Sequence, residues 1–334
     1  PHIRLVAAFN HLHIFIDPNP DAPGSFEERQ RLFALPRGGW SDYTAELISE
    51  GGGVFNRSAK SIAISPQMRE RFSIEQSALT PNQLISAVLK AKVDLLWNGG
   101  IGTYVKASQE SHTDVGDKAN DSLRVDARDL HCRVVGEGGN LGMPQLARVE
   151  YGLQGGRSNT DFIDNAGGVD CSDHEVNIKI LLNAIVARGD MTLKQRNELL
   201  EGMTEDVAAL VLANNYRQVQ AISQAELEAR GRGGEYRRLI SNLEGEGRLD
   251  RELEFIPSDE ALAERTVQGK GLTRPELSVL VSYVKAILKE ELIASDLGED
   301  PHHTAATATA FPDSLVARFP DDVSDHRLVR EIMC

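Results

Sequence analysis

The chain has 334 residues and a formal net charge of -14, from 50 acidic and 36 basic residues. Acid in this excess repels phosphate, so no nucleic-acid partner and no anionic-membrane partner is expected for the chain as a whole. Charged residues make up 26% and hydrophobic residues 41%, which excludes a disordered acidic tail and suffices for two domains with cores.

The three cysteines, Cys132, Cys171 and Cys334, are few, widely spaced and odd in number. They point to a reducing, cytoplasmic compartment without a disulfide framework. No run approaches a membrane span, and no signal peptide is present. The chain opens on Pro1-His2 without an initiator Met and stops inside an apolar helical pattern, Leu328 to Cys334. It is expected to be part of a longer polypeptide.

In chain order, residues 3–9 read as an apolar strand and His13–Ile16 as a second, joined by the tight link Asn10-His11-Leu12. Asp17-Pro18-Asn19-Pro20-Asp21 ends the second run, because proline cannot continue a ladder. Ser25-Phe26-Glu27-Glu28 reads as a helix start, with Ser as cap and acids in the first turn. Gly51-Gly52-Gly53 neither follows a strand nor opens a helix, so it reads as a turn before a possible strand at Lys60–Ile64. Thr80-Pro81 opens a helix carrying Leu84, Val88 and Leu89 on one face.

Val93-Asp94-Leu95-Leu96-Trp97 is the next strand, and it runs straight into Asn98-Gly99-Gly100-Ile101-Gly102. The acids from Glu110 to Asp121 lack the spacing of a calcium loop and read as a solvated segment. Cys132-Arg133-Val134-Val135 then leads into Gly136-Glu137-Gly138-Gly139-Asn140-Leu141-Gly142. A third apolar run, Phe162-Ile163-Asp164, leads into Asn165-Ala166-Gly167-Gly168-Val169. Ligands of open α/β sheets bind at the carboxyl ends of strands. Three strand ends bearing glycines and carboxamides would therefore line one cofactor or substrate crevice.

From Asp173 the pattern is helical, with Ser172 and Asp173 as expected caps. Thr192-Leu193-Lys194-Gln195 and Thr273-Arg274-Pro275-Glu276 are capping boxes. Leu277, Leu280, Val281, Val284 and Leu288 form an amphipathic stripe, suited to a core or a subunit interface. Gly231–Gly234 and residues 296–304 read as loops, and His302-His303 as solvated. Motifs for dinucleotide phosphate, a P-loop, zinc or a nucleophile elbow are absent. The pair His11 and His13 reads as structural, so no metal is expected. Glu137, flanked by glycines at a strand end, is the best-placed ionisable group.

These residues carry a resemblance to the large-subunit, NAD-specific glutamate dehydrogenases of bacteria over nearly the whole chain. The carrying stretches are Arg4–Phe9, His13–Asp21, Val93–Lys106, Gly136–Gly142, Asn165–Lys179 and Leu272–Leu277. The resemblance implies an α/β fold, an incomplete Rossmann-type doubly wound sheet followed by an all-α carboxyl-terminal domain. The NAD-binding domain is expected over 1–171 and the helical domain over 172–334. It implies NAD contacts at Asn10, Asp17, Asn98, Gly99, Glu137, Gly138, Gly139 and Asn140. It implies substrate contacts at Asn165, Gly167, Gly168, Val169 and Ser172, the last near the distal carboxylate of L-glutamate or 2-oxoglutarate.

The chain departs from the family pattern at Asn10, where Asp is usual, and at Pro144, where Thr is usual. An amide still bonds a ribose but repels a 2′-phosphate less than a carboxylate does. By the resemblance, the phosphate loop and the catalytic lysine and aspartate lie upstream of Pro1. The segment alone is then expected to be inactive, and the whole enzyme to be a homo-oligomer. Two other readings stay open, a non-catalytic assembly or regulatory segment and another amino-acid dehydrogenase.

Overall fold

The structure, a computed structural model, describes residues 1–299 and 305–333. His302, His303, part of the expected loop at 296–304, and Cys334 lie outside the described residues. The chain divides into two compact units: Pro1–Gly136 with Leu141–Arg157, and Glu137–Asn140 with Ser158–Cys334. Position 171/172, the expected domain boundary, falls inside a continuous helix, Gly167–Arg188.

The first unit is mixed α/β with small sheets. Strands β1 (Ala7–Phe9), β2 (His13–Ile16) and β3 (Gly53–Asn56) pair antiparallel in that order, with Ala7 opposite Ile16 and Ile14 opposite Phe55. Of the run 3–9, only its end enters the ladder. β4 (Ile62–Ala63) pairs with β5 (Ala78–Leu79), and β7 (Val105–Lys106) pairs parallel with β8 (Val125–Asp126). β6 (Leu95–Asn98) pairs with β9 (Val134–Glu137). Helices α1 (Ala22–Ala34), α2 (Pro66–Phe72), α3 (Pro81–Leu89), the single turn α4 (His112–Val115) and α5 (Gln145–Leu153) complete the unit. Ile14, Ile16, Met68, Leu84, Ile85 and Tyr151 are among its buried core residues.

The second unit is helical: α6 (Asp161–Asp164), α7 (Gly167–Arg188), α8 (Leu193–Gly202), α9 (Thr204–Ala229), α10 (Gly233–Gly245), α11 (Asp259–Val267) and α12 (Arg274–Ala294). Shorter helices α13 (Asp313–Arg318), α14 (Pro320–Ser324) and α15 (Val329–Met333) follow. It has two cores, one around Ile178, Leu182, Ile185 and Phe311, the other around Ile240, Leu243, Leu277 and Leu280. The α12 stripe is buried at Leu277 and Leu280 but exposed at Val284 and Leu288. Among the described residues, no helix is long and apolar enough to cross a membrane.

Local chemistry explains most element starts. Thr80 and Gln83 close a capping box on α3, as do Thr192 and Gln195 on α8. Three expectations are corrected. α1 begins at Ala22 under an Asp21 cap, whose carboxylate accepts from the Gly24 amide at 2.9 Å, and Ser25 is buried inside the helix. Phe162–Asp164 is a helical turn rather than a strand, since the Asn165 amide reaches back to the Asp161 carbonyl at 2.8 Å. α7 starts at Gly167, five residues before the expected Ser172 cap, because Ala166 is already in the right-handed helical region and its carbonyl accepts from Asp170.

The acidic segment is also more organised than a solvated loop. The buried Arg124 guanidinium bonds Asp121 Oδ1 at 2.7 Å and the Thr103 carbonyl at 2.8 Å, so these acids help neutralise an interior cation.

In α1, buried Glu28 accepts from Arg31 Nε at 2.8 Å and Nη2 at 2.6 Å, and from the Thr44 amide at 2.7 Å. The Arg31 hydrogen bonds lead in holding its pKa down to about 2, against an ordinary 4.5. A depressed carboxylate stabilises the fold above its ordinary pKa, and that stability fades as pH falls from about 4.5 toward about 2. Glu28→Gln is expected to lower the thermal midpoint at neutral pH and to flatten its decline across that acid window. Melting curves at stepped pH check this, and parallel curves for both proteins would contradict it.

Candidate functional site

In the first unit, β6 ends at Asn98, one residue beyond the expected Trp97, and Gly99 follows it. Asn98 Oδ1 accepts from the Gly100 amide at a long 3.4 Å. Its Nδ2 is buried and has no partner among the described residues. A buried donor left open at a strand end is a group that a ligand hydroxyl or carbonyl can satisfy. The Trp97 indole covers the neighbouring backbone. A Cβ on Gly136 would come within 2.7 Å of that ring, so glycine is needed there unless the indole moves.

Asn10 and Asp17 serve the fold. Asn10 Oδ1 accepts from the amides of Leu12 and His13, both at 2.8 Å, and so closes the β1–β2 hairpin. Asp17 has no exposed surface, and its Oδ1 bonds the Ser49 hydroxyl and, at 3.2 Å, the Ser49 amide. Its Oδ2 is buried and has no partner among the described residues. The resemblance pointed to these side chains without showing that the local turn would use them.

The second unit gathers the remaining expected residues. Glu137, only 1% exposed, ends β9, and Gly138 and Asn140 are exposed just beyond it. The Glu137 amide donates to Asp164 Oδ2 at 3.0 Å. Asp164 Oδ1 accepts from Asn159 Nδ2 at 2.8 Å. Next along the chain, Asn165 Nδ2 donates to Asn140 Oδ1. The Glu137–Asn140 loop is thereby joined twice to the turn that opens α7. The Asn pair still offers the Asn140 amide nitrogen as donor and the Asn165 oxygen as acceptor. A primary carboxamide complements that pattern.

On α7 itself, Gly167 packs against Val211, and a Cβ there would lie 3.5 Å from Val211 Cγ1. Gly168 and Val169 are exposed. Ser172, also exposed, donates to the Gly168 carbonyl at 3.3 Å. That weak bond is readily exchanged for a ligand carboxylate. His174 is buried one turn on, with Nδ1 2.9 Å from the Ala310 carbonyl and Nε2 3.6 Å from Asp170 Oδ1. Asn214 Nδ2 donates to Asp170 Oδ2 at 3.0 Å. This group was not singled out from the sequence. The spacing of Asp170 and His174, one helical turn apart, was its only local signal.

The first unit is mixed α/β with strand ends that bear Gly–amide clusters, and the second unit is helical. Residues 1–225 match the family of the bacterial NAD-glutamate dehydrogenase catalytic domain, and residues 269–334 match the glutamate dehydrogenase C-terminal family. The chain belongs to the bacterial NAD-glutamate dehydrogenase family. It is 66% identical over 331 residues to the NAD-specific glutamate dehydrogenase of Pseudomonas aeruginosa, and 62% identical over 331 residues to that of Halomonas elongata. It is 49% identical over 338 residues to that of Mycobacterium tuberculosis. Each match covers 99% of this chain, which spans only 20–21% of the length of these relatives.

The Asp164 carboxylate is the hub of the second-unit cluster. Asp164→Ala is expected to leave the Glu137 amide without its acceptor, at a cost of about 1.5–3 kcal/mol for a bond to a charged group. Amide exchange over Glu137–Asn140 should then accelerate about ten- to a hundred-fold, measured by mass spectrometry. Unchanged exchange would show that the strand ladder alone holds this loop.

Proposed function

We propose that the protein carrying this chain oxidatively deaminates L-glutamate to 2-oxoglutarate and ammonium, with NAD as hydride acceptor. The observation that carries this reading is the pairing of the Glu137–Asn140 loop with Asn165 at the start of α7. The family's cofactor-side and substrate-side stretches thus belong to one hydrogen-bonded cluster. Family membership and the printed names of the relatives point the same way.

In this reading Asn98 and Gly99 in the first unit are cofactor contacts, and the open Asn98 donor supports that fit. In the second unit, Glu137, Gly138, Gly139 and Asn140 are the cofactor contacts, with Asn165, Gly167, Gly168, Val169 and Ser172 on the substrate side. Asn10 enters only through its amide nitrogen, since its oxygen holds the hairpin. A Rossmann-type arrangement rests on β6 and β9, which pair and both end in Gly-bearing clusters.

NAD supplies the two-electron sink when bound. The residues of this chain bind and orient. The Asn140–Asn165 pair presents one donor and one acceptor. Ser172 can turn its hydroxyl from Gly168 toward the distal carboxylate of the substrate. Gly168, where an added Cβ would meet open space, keeps a side chain out of the proposed substrate side. Orientation of this kind places the substrate Cα–H against the acceptor and limits competing water. Homo-oligomeric assembly and a cytoplasmic setting belong to the same proposal. The exposed outer half of the α12 stripe, at Val284 and Leu288, supports the assembly.

Reduction of NAD is followed at 1:1 stoichiometry with glutamate, aspartate and leucine side by side. Glutamate-dependent turnover is expected, and its absence in folded protein overturns the reading. Ser172→Ala is expected to raise the KM for glutamate about ten- to a hundred-fold, the equivalent of one hydrogen bond to a charged group. An unchanged KM would mean that Ser172 only bonds back along its helix.

A further inference from the structure

Arg274, in the carboxyl-terminal family segment, reaches the Glu137–Asn140 loop through Asn159 and Asp164. α12 begins at Arg274, and its start is fixed by a buried capping box. Glu276, with no exposed surface, accepts from the Thr273 amide at 2.6 Å and hydroxyl at 2.8 Å. Arg265 Nη1 bonds the same carboxylate at 2.8 Å, which balances its charge. The backbone of Arg274 is thereby held, and its guanidinium projects with its orientation set by three partners.

Arg274 Nη1 bonds Glu226 Oε2 at 2.8 Å and Ser223 Oγ at 3.1 Å, both on α9. Arg274 Nε and Nη2 both converge on Asn159 Oδ1, at 3.1 and 3.0 Å. With its oxygen occupied by two donors of a cation, Asn159 must present its amide nitrogen to the other side. That nitrogen donates to Asp164 Oδ1, whose second oxygen accepts from the Glu137 amide. The run Arg274–Asn159–Asp164–Glu137 is continuous, and each member leaves the next only one orientation.

We infer that Arg274 is a positioning residue for the Glu137–Asn140 loop, acting through Asn159 and Asp164. The inference rests on the proposed cofactor role of that loop. A guanidinium suits this task better than an ammonium, because its planar fork fixes the amide plane of Asn159 while a second edge stays on Glu226. Arg274→Lys keeps a cation beside Glu226 but cannot fork onto Asn159. The loop would then shift or fluctuate, and a displacement near 1 Å is enough to spoil cofactor alignment.

The test uses the full-length protein that carries this chain. The kcat, the KM for NAD and the thermal midpoint are measured for the parent, Arg274→Lys, Asn159→Ala and the double variant. Each single change is expected to raise the KM for NAD about tenfold. The double variant is expected to be no worse than the larger single effect, because both interrupt one run. A residue that only stabilises the helices would lower the midpoint and leave this KM unchanged. A KM within twofold of the parent in folded Arg274→Lys, or effects that multiply in the double variant, overturns the inference. If Arg274→Lys fails to fold, Asn159→Ala alone decides by the same KM. If the parent itself shows no glutamate turnover, the functional reading fails separately. The run is then read from amide exchange over Glu137–Asn140, which Arg274→Lys accelerates if Arg274 positions the loop and leaves unchanged if it does not.

Discussion

Within the second unit, the Asp164 carboxylate accepts two hydrogen bonds. One comes from the Glu137 backbone at 3.0 Å and the other from the Asn159 side chain at 2.8 Å. The first of these, with the Asn140–Asn165 bond, joins the glycine-bearing loop Glu137–Asn140 to the turn that opens α7. Those four loop residues belong to the same compact unit as Ser158–Cys334.

Satisfying buried polar groups organises much of the rest. Arg124 in the first unit, and Glu276 and Arg274 in the second, each sit among several partners that neutralise or saturate them. An acidic chain has carboxylates to spare for this purpose. Breaking one partner of such a set leaves a charge in a poorly solvated place, which costs several kcal/mol. The Asn98 amide nitrogen stands apart as a buried donor at a strand end without a partner among the described residues. That open donor supports its place among the proposed cofactor contacts.

Elements governed by nearby residues were legible. The Thr80 cap and the capping boxes at Thr192 and Thr273 each need only a few neighbouring residues, and all three stand where the pattern placed them. The strands ending at Asn98 and Glu137 were legible from β-branched and apolar runs that stop at glycine. Phe162–Asp164 was misread because three apolar-to-acidic residues do not distinguish a turn of helix from a strand. The α1 cap was misplaced because Asp21 and Ser25 are both competent caps, and Pro23 between them sits in the first helical turn. At the candidate site, residue types and order were legible from the family stretches. The Arg274–Asn159 bond joins positions 115 residues apart, and no local spacing signals it. The hairpin role of Asn10 was equally hidden, because an Asx turn and a ribose contact draw on the same carboxamide.

The central claim is that Glu137–Asn140 and Asn165–Ser172 together receive cofactor and substrate. Hydrogen–deuterium exchange of the full-length protein, alone and with NAD plus 2-oxoglutarate, tests it most directly. The account predicts slower exchange in both segments on ligand addition, with the segment beginning at Asn165 responding chiefly to 2-oxoglutarate. Protection confined to other parts of the protein, with both segments unchanged, would contradict it.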